Sequence, residues 1–351
     1  MKKQAKKSTG NNVNKTLYDL LLTTDLQNIK KNASQNYNNL EMNLNNDYTC
    51  KTIKLKPDYE GEVTATLISS NYNQGNRKSV LYIHGYVDYF FNPHLGEKFN
   101  ENDFDFYAID LRKYGRSLLE HQHPNYCKDV EEYFEEISIA IREIQNKSTS
   151  IYLLGHSTGG LTASSYMNNG SEKKLISGLI LNSPFLDFNQ TKLEKSFGYL
   201  AARIFSKISI YSKINGALST AYMQSLHKDF YGEWDFNQNW KPIKGFPTYF
   251  KWIVAIAKAH KKLEKSNIKV PILIMHSSDS CKISKFSKEA MSKDIVLNIE
   301  DIKRVGLKLG DKVTLSKIDN AQHDIFLSQK SVRDDAFDKM FTWLSKIDLK
   351  K

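Results

Sequence analysis

The chain is poor in cysteine, with three among 351 residues: Cys50, Cys127 and Cys281. Their spacing fits neither a zinc site nor a redox pair, and an odd number argues against a disulfide framework; a reducing compartment, the cytoplasm, is expected. No apolar stretch is long enough to span a bilayer. The basic start, Met1-Lys2-Lys3-Gln4-Ala5-Lys6-Lys7, is followed by no apolar region with a small-residue cleavage site, so no secretion signal is expected. Internal repeats are missing, and so is any motif for reading nucleic acid. The net charge of +11 therefore reads as a solvated, lysine-rich surface, part of it in the tails at Lys2, Lys3, Lys6, Lys7, Lys15, Lys346, Lys350 and Lys351. Weak contact with an anionic membrane surface is the charge-driven partnership left open. A mean hydropathy of −0.52 reflects abundant Lys and Asn, while a hydrophobic content of 40% at this length suffices for one domain with an insertion.

What is present is a nucleophile in context. Residues 155–160 read Gly-His-Ser-Thr-Gly-Gly. They follow the apolar run Ile151-Tyr152-Leu153-Leu154 and precede a small-residue helical pattern with Gly160, Ala163, Ser164 and Ser165. G-x-S-x-G alone also arises by chance in glycine-rich loops, but strand, G-x-S-x-G and helix in that order make a nucleophile elbow, the turn that resembles those of α/β-hydrolases. Ser157 is the candidate nucleophile, expected on a strained turn.

The elbow says where its partners lie. In such folds the loop after the third strand and the residue after the serine supply two backbone N–H groups for the oxyanion. The run Ser79-Val80-Leu81-Tyr82-Ile83 leads into His84-Gly85-Tyr86, so the donors are expected at Tyr86 and Thr158. His84 resembles a base or ligand in isolation but reads better as a loop brace. The catalytic order is serine, acid, histidine. His227, His260, His276 and His323 follow the serine at a distance. His323 sits just after the strand-like run 312–318 and is the expected base. His276 precedes the acid and reads as structural, while His227 and His260 fall in an insertion. For the acid, Asp294 is preferred: it lies 29 residues before His323, room for one helix and one strand, and is followed by apolar anchors. Asp279, 44 residues before His323 and just after the strand ending at Met275, stays the alternative. Either carboxylate would hold the histidine tautomer if it reached the ring.

Taken together, His84-Gly85-Tyr86, Asp110-Leu111-Arg112-Lys113-Tyr114-Gly115-Arg116-Ser117, the elbow, Asp294-Ile295-Val296 and His323-Asp324 resemble the monoacylglycerol lipase and lysophospholipase-like branch of the α/β-hydrolases, including its serine aminopeptidase-like group. The resemblance covers roughly residues 50–350. It implies a mostly parallel sheet flanked by helices with an inserted cap, a Ser157–His323–Asp294 triad, and Tyr86 and Thr158 as oxyanion donors. It departs at Lys113, where the family has a glycine, and in about fifteen extra residues before Asp294.

The expected organisation is an N-terminal extension over 1–47, partly disordered and with a short helix between Leu17 and Leu26, a hydrolase core over 48–184 that includes an amphipathic helix over 130–145, a helical cap over 185–267 and a second core segment over 268–351. Three of the four tryptophans, Trp234, Trp240 and Trp252, fall in the cap, as an acyl-accommodating wall or as the cap's own core. The expected activity is hydrolysis of small or lipid-like carboxylic esters through an acyl-enzyme, with no metal or organic cofactor. Aminopeptidase-like amide hydrolysis and a non-catalytic receptor on the same fold are the alternatives. Dehalogenation is disfavoured because its nucleophile is a carboxylate.

Overall fold

The computed structural model describes residues 44–75, 77–214 and 219–348. The short helix expected between Leu17 and Leu26, and the charged segment before it, lie outside the described residues. Two antiparallel strands come first, β1 (Tyr48–Lys54) and β2 (Thr64–Ser70), paired from Tyr48 opposite Ser70 to Lys54 opposite Thr64. Strands and helices then alternate: β3 (Arg77–Ile83), α1 (Pro93–Glu101), β4 (Phe104–Asp110), α2 (Phe134–Gln145), β5 (Ser148–His156), α3 (Thr158–Asn169) and β6 (Ile176–Asn182). An insertion follows with α4 (Lys192–Ile208), β7 (Lys213–Ile214), α5 (Thr220–Leu226), β8 (Thr248–Tyr249) and α6 (Phe250–Leu263). The chain closes with β9 (Ile272–Ser277), α7 (Ile299–Gly306), β10 (Val313–Ile318) and α8 (Lys330–Asp348).

Among the described residues, eight of these strands form one sheet in the order β1-β2-β4-β3-β5-β6-β9-β10, antiparallel at β1 and β2 and parallel from β4 onward. All of β4 and β9 is buried, whereas β1 and β10 at the edges are largely open. This explains the near-continuous apolar runs of the central strands, which helices cover on both faces. The order matters for function. The chain leaves β3 toward β4 on one side, returns across it to β5, then proceeds to β6 on the other. A crevice opens at the carboxyl ends of strands at such a switch point, and there lie Gly85, just past β3, and Ser157, just past β5. The fold is that of the α/β-hydrolases, a mixed, mostly parallel sheet with helices inserted as a cap.

Local chemistry shifted some expected elements. The amphipathic pattern over 130–145 begins as a 3-10 turn, Val130–Tyr133, because Asp129 and Glu132 form a reciprocal capping box before α2 starts. Tyr133, Ile137, Ile141 and Ile144 are buried on its inner side. The insertion is less helical than its pattern implied. Gly232, Asn237, Asn239, Pro242, Gly245 and Pro247 punctuate the stretch between α5 and β8, which carries turns and bridges instead. At its far end α6 buries Ala255, Ile256, Ala259 and Leu263 in the main core, so the cap is rooted in the hydrolase body.

Candidate active site

Ser157 sits between β5 and α3 at φ +52° and ψ −116°, a region that side chains other than glycine rarely occupy. Close packing leaves no alternative. A Cβ on Gly155 would come within 2.5 Å of the Gly159 carbonyl oxygen, and one on Gly159 within 2.2 Å of the Ile83 carbonyl oxygen. Strand and helix can therefore converge only if both positions lack side chains. The turn is pinned by hydrogen bonds: Ser157 N–H donates to Asn182 O (3.0 Å), and Gly160 and Phe185 N–H donate to Ser157 O (both 2.9 Å).

The structure brings Ser157, His323 and Asp294 into one buried line. His323 Nε2 lies 3.0 Å from Ser157 Oγ, and its Nδ1 lies 2.9 Å from Asp294 Oδ2. Asp294 is fully buried; its other oxygen, Oδ1, accepts from the Val296 and Leu297 amides at 2.9 and 2.8 Å. Those bonds leave Oδ2 to orient the ring, so Nδ1 carries the proton and Nε2 faces the serine as an acceptor. Asp279 is elsewhere: its carboxylate faces solvent and pairs with Lys293 at 2.9 Å, which together with the Ser280 amide holds it below the usual carboxylate range.

Thr158 opens α3, and its N–H is among the first amides of a helix, which have no acceptor within the helix. Tyr86 lies across the crevice in the loop after β3. His84 braces that loop: Nε2 accepts from Leu111 N–H (3.1 Å), so the proton sits on Nδ1 and is donated to Gly85 O (2.9 Å). Burial pushes the His84 pKa down and keeps it neutral. Asp110 braces the same loop, taking Phe90 N–H on Oδ1 (2.9 Å) and Arg116 on Oδ2 (2.8 Å). Gly85 marks the point where this loop meets the elbow. A Cβ there would meet His156 Cδ2 at 3.0 Å and Ser157 Cβ at 3.3 Å, so its bareness lets the loop rest against the elbow.

The remaining histidines found structural partners. His276 lies 2.7 Å from Ser277 O, His260 lies 2.9 Å from Phe185 O, and His227 Nδ1 accepts from the Asp229 amide (3.1 Å). Lys113, standing where the resembling family has glycine, keeps a left-handed φ of +65°. Its side chain is fully buried, with Nζ 2.8 Å from Asp58 and 2.6 Å from Glu60, over the rings of Tyr59 and Tyr126. Removing that ammonium would strand two carboxylates, a loss of about 3–5 kcal/mol.

Several residues escaped the sequence reading. Asn182 ends β6 and clamps the base loop to the elbow: its carbonyl holds Ser157, its Nδ2 donates to Asp324 (2.8 Å), and its Oδ1 accepts from the Ile325 amide (3.2 Å). Its only signal was its place at a strand end. Asp88, His156 and Asp324 form a buried cluster whose ligand atoms lie within 4.8 Å of one another, a donor set suited to a cation. A cation is already there: Lys241 Nζ lies 2.5 Å from Asp88 Oδ1. Lys241 belongs to the cap, 153 residues from its partner, and nothing in the linear pattern joins them.

The tryptophans dock the cap. Trp252 packs on Tyr86 (ring centroids 4.3 Å), Trp240 on Tyr89 (5.2 Å), and Trp234 stacks on His94 (4.6 Å) while its indole N–H donates to Leu327 O (2.7 Å). Tyr222 of α5 stands 5.4 Å from the His323 ring.

A serine on a strained elbow, aligned with a buried histidine and carboxylate on this sheet, is the arrangement that characterises serine hydrolases of the α/β-hydrolase fold. Residues 74–327 match the family model Hydrolase_4, described as serine aminopeptidase, S33, and the chain belongs to that family. Phospholipase YtpA of Bacillus subtilis (strain 168) is 26% identical over 160 residues, covering 46% of this chain and 60% of that protein; the match thus spans less than two thirds of its length. Among solved structures, a soluble variant of monoglyceride lipase from Saccharomyces cerevisiae superposes with a TM-score of 0.64 at 20% identity, covering 84% of this chain and 94% of that one. A thermostable carboxyl esterase from Bacillus coagulans gives 0.60 at 16% identity, covering 85% and 99%. Monoacylglycerol lipase from Paleococcus ferrophilus gives 0.57 at 18%, also covering 85% and 99%. At these identities the likeness is one of fold.

Proposed function

We propose that the protein hydrolyses carboxylic esters of small or lipid-like acyl groups, with Ser157 as nucleophile, His323 as base and acid, Asp294 as orienting carboxylate, and the Tyr86 and Thr158 amides as oxyanion donors. The observation that carries this reading is the unbroken line from Asp294 Oδ2 through His323 to Ser157 Oγ. Ser157 Oγ attacks the ester carbonyl carbon while its proton passes to His323 Nε2. The tetrahedral oxyanion is held by the two amides, a term worth a few kcal/mol, about 3 per donor. Collapse breaks the C–O bond, and His323 returns the proton to the leaving alcohol. The same histidine then deprotonates water, which attacks the acyl-enzyme and releases the acid and free Ser157.

Ester cleavage is favoured over release of N-terminal amino acids by the state of the nearby carboxylates. An aminopeptidase needs one to hold the substrate's ammonium. Among the described residues around the serine, Asp294 is engaged by His323, Asp88 by Lys241 and Asp324 by Asn182. The reading is tested with p-nitrophenyl esters of increasing acyl length and aminoacyl p-nitroanilides, on wild type and Ser157→Ala, alongside fluorophosphonate labelling. Ester turnover and labelling, both lost in Ser157→Ala, are expected. Turnover of anilides alone would favour the amide reading, and a folded protein without turnover or labelling the receptor reading.

The substrate's source is inferred from α4. Leu193, Phe197, Leu200, Ile204 and Ile208 share one face of this cap helix and are 52–74% exposed, with exposed Arg203 and Lys207 along one margin. An apolar stripe with a cationic margin suits an anionic lipid interface. No helix among the described residues is long and apolar enough to cross a membrane. Surface contact from a cytoplasmic location accords with these features and with the scarcity of cysteine.

A further inference from the structure

The loop that carries Tyr86 is strained. Val87, the next residue, has φ +50°, a left-handed conformation that a β-branched side chain adopts only under constraint. The constraint comes from the following residue. Asp88 turns its carboxylate back on its own loop, where Oδ2 accepts the Gly85 N–H at 3.2 Å. Gly85 and Asp88 thus bracket Tyr86 and Val87 in one ring. The second oxygen of Asp88 is held from outside by Lys241, only 2% exposed, whose Nζ lies between the rings of Phe91 (5.0 Å) and Phe236 (5.5 Å). Burial works against ionisation of Asp88, but the Lys241 ammonium more than offsets this and holds the carboxyl below its usual range. Lys241 itself is fixed by the cap turn: its N–H donates to Asn237 O (2.9 Å), and the Asn237 amide donates to Tyr89 OH (2.7 Å). One cap side chain therefore reaches the strained segment that presents an oxyanion donor.

We propose that Lys241 is a positioning residue for the oxyanion hole: its ammonium fixes Asp88, which fixes the Gly85–Asp88 ring and so aims the Tyr86 amide, coupling the seating of the cap to transition-state stabilisation. Lys241 touches neither Ser157 nor His323 and moves no proton. Its removal frees the Asp88 carboxylate to turn and lets Val87 relax toward ordinary φ, taking the Tyr86 N–H off line. A group that acts this way changes kcat and leaves ground-state affinity largely alone.

The inference rests on the esterase reading, and the experiment separates the two. Wild type, Lys241→Met and Lys241→Met/Asp88→Asn are compared in ester hydrolysis per active site, titrated to completion with fluorophosphonate, and in inhibition by a trifluoromethyl ketone that forms a tetrahedral adduct with the serine. For Lys241→Met, kcat is expected to fall about 30- to 100-fold with KM within threefold, and affinity for the ketone to weaken in parallel. The double variant, which leaves no buried charge unpaired and keeps an acceptor for Gly85, should recover part of kcat. A folded Lys241→Met with kcat and ketone affinity within threefold of wild type overturns the proposal. Should Lys241→Met not fold, the double variant decides: a loss of kcat of tenfold or more at constant KM supports the coupling, and wild-type kcat sinks it. A wild type that neither turns over esters nor takes the fluorophosphonate removes the esterase reading and this inference with it.

Discussion

The backbone amide of Asp294 donates to the carbonyl of Asp279 at 3.0 Å, so the two acids that compete for the triad are joined main chain to main chain. Their carboxylates nevertheless face opposite environments. A return bond, Cys281 N–H to Asp294 O (3.0 Å), makes a short parallel bridge at Ser280 and Asp294 that turns one side chain inward and leaves the other in solvent.

Asp294→Asn is therefore expected to lower kcat/KM by about 10³- to 10⁴-fold, because an amide in that place disturbs the histidine tautomer. Asp279→Asn removes only a solvent-facing pair with Lys293 and should stay within about threefold of wild type. Steady-state kinetics on a p-nitrophenyl ester check both, and the reverse pattern would hand the role to Asp279.

The elbow stores strain that a substitution pair exposes. Ser157→Ala and Ser157→Gly both lose the nucleophile, but only glycine accepts φ +52° at no steric cost. At an ordinary position glycine would be the less stable of the two. Here Ser157→Gly is expected to exceed Ser157→Ala by about 1–2 kcal/mol in urea denaturation. Equal midpoints, or the usual order, would mean that the turn is not strained.

His94 links stability to pH. Burial against Trp234 pushes its pKa down to about 4, against the opposing pull of the Phe326 carbonyl that its Nε2 approaches at 2.9 Å. Between about 6.5 and 4 the unfolded chain binds a proton at this site that the folded chain does not, so stability falls as pH falls through that window. Wild type should lose on the order of 1–3 kcal/mol more than His94→Gln between neutral pH and pH of about 4.5. Parallel urea curves for the two proteins at each pH would contradict it.

The α4 stripe predicts a lipid-dependent partition. Leu200→Glu/Ile204→Glu places charges on the exposed face without touching the inner residues Ala202 and Ser206. In sedimentation with phosphatidylglycerol vesicles, wild type is expected to bind several-fold more than the variant and to lose binding in high salt. Hydrolysis of a soluble short-chain ester should be the same in both. Wild-type binding indifferent to lipid charge would remove the electrostatic part of the inference.

How much was readable in advance follows from the range of each interaction. Ser157 was legible because an elbow is local: a strand, two bare glycines and a helix start within a few residues. His323 was legible because chain order and one preceding strand place it. The central strands announced themselves through unbroken apolar runs. The fold these imply is the one the sheet order and the family match show. Spacing leaned toward Asp294, but only folding set its carboxylate inward and left that of Asp279 in solvent, beside a short backbone bridge. The cap's turns between α5 and β8 follow from the glycines, prolines and asparagines that interrupt its aromatic-rich pattern, and only the tertiary structure shows where Trp234 and Trp240 anchor. Lys241 and Asp88 had no mark at all in the linear pattern. Their pairing exists because a buried carboxylate needs a counter-charge, and only the tertiary packing of cap on core brings one within reach.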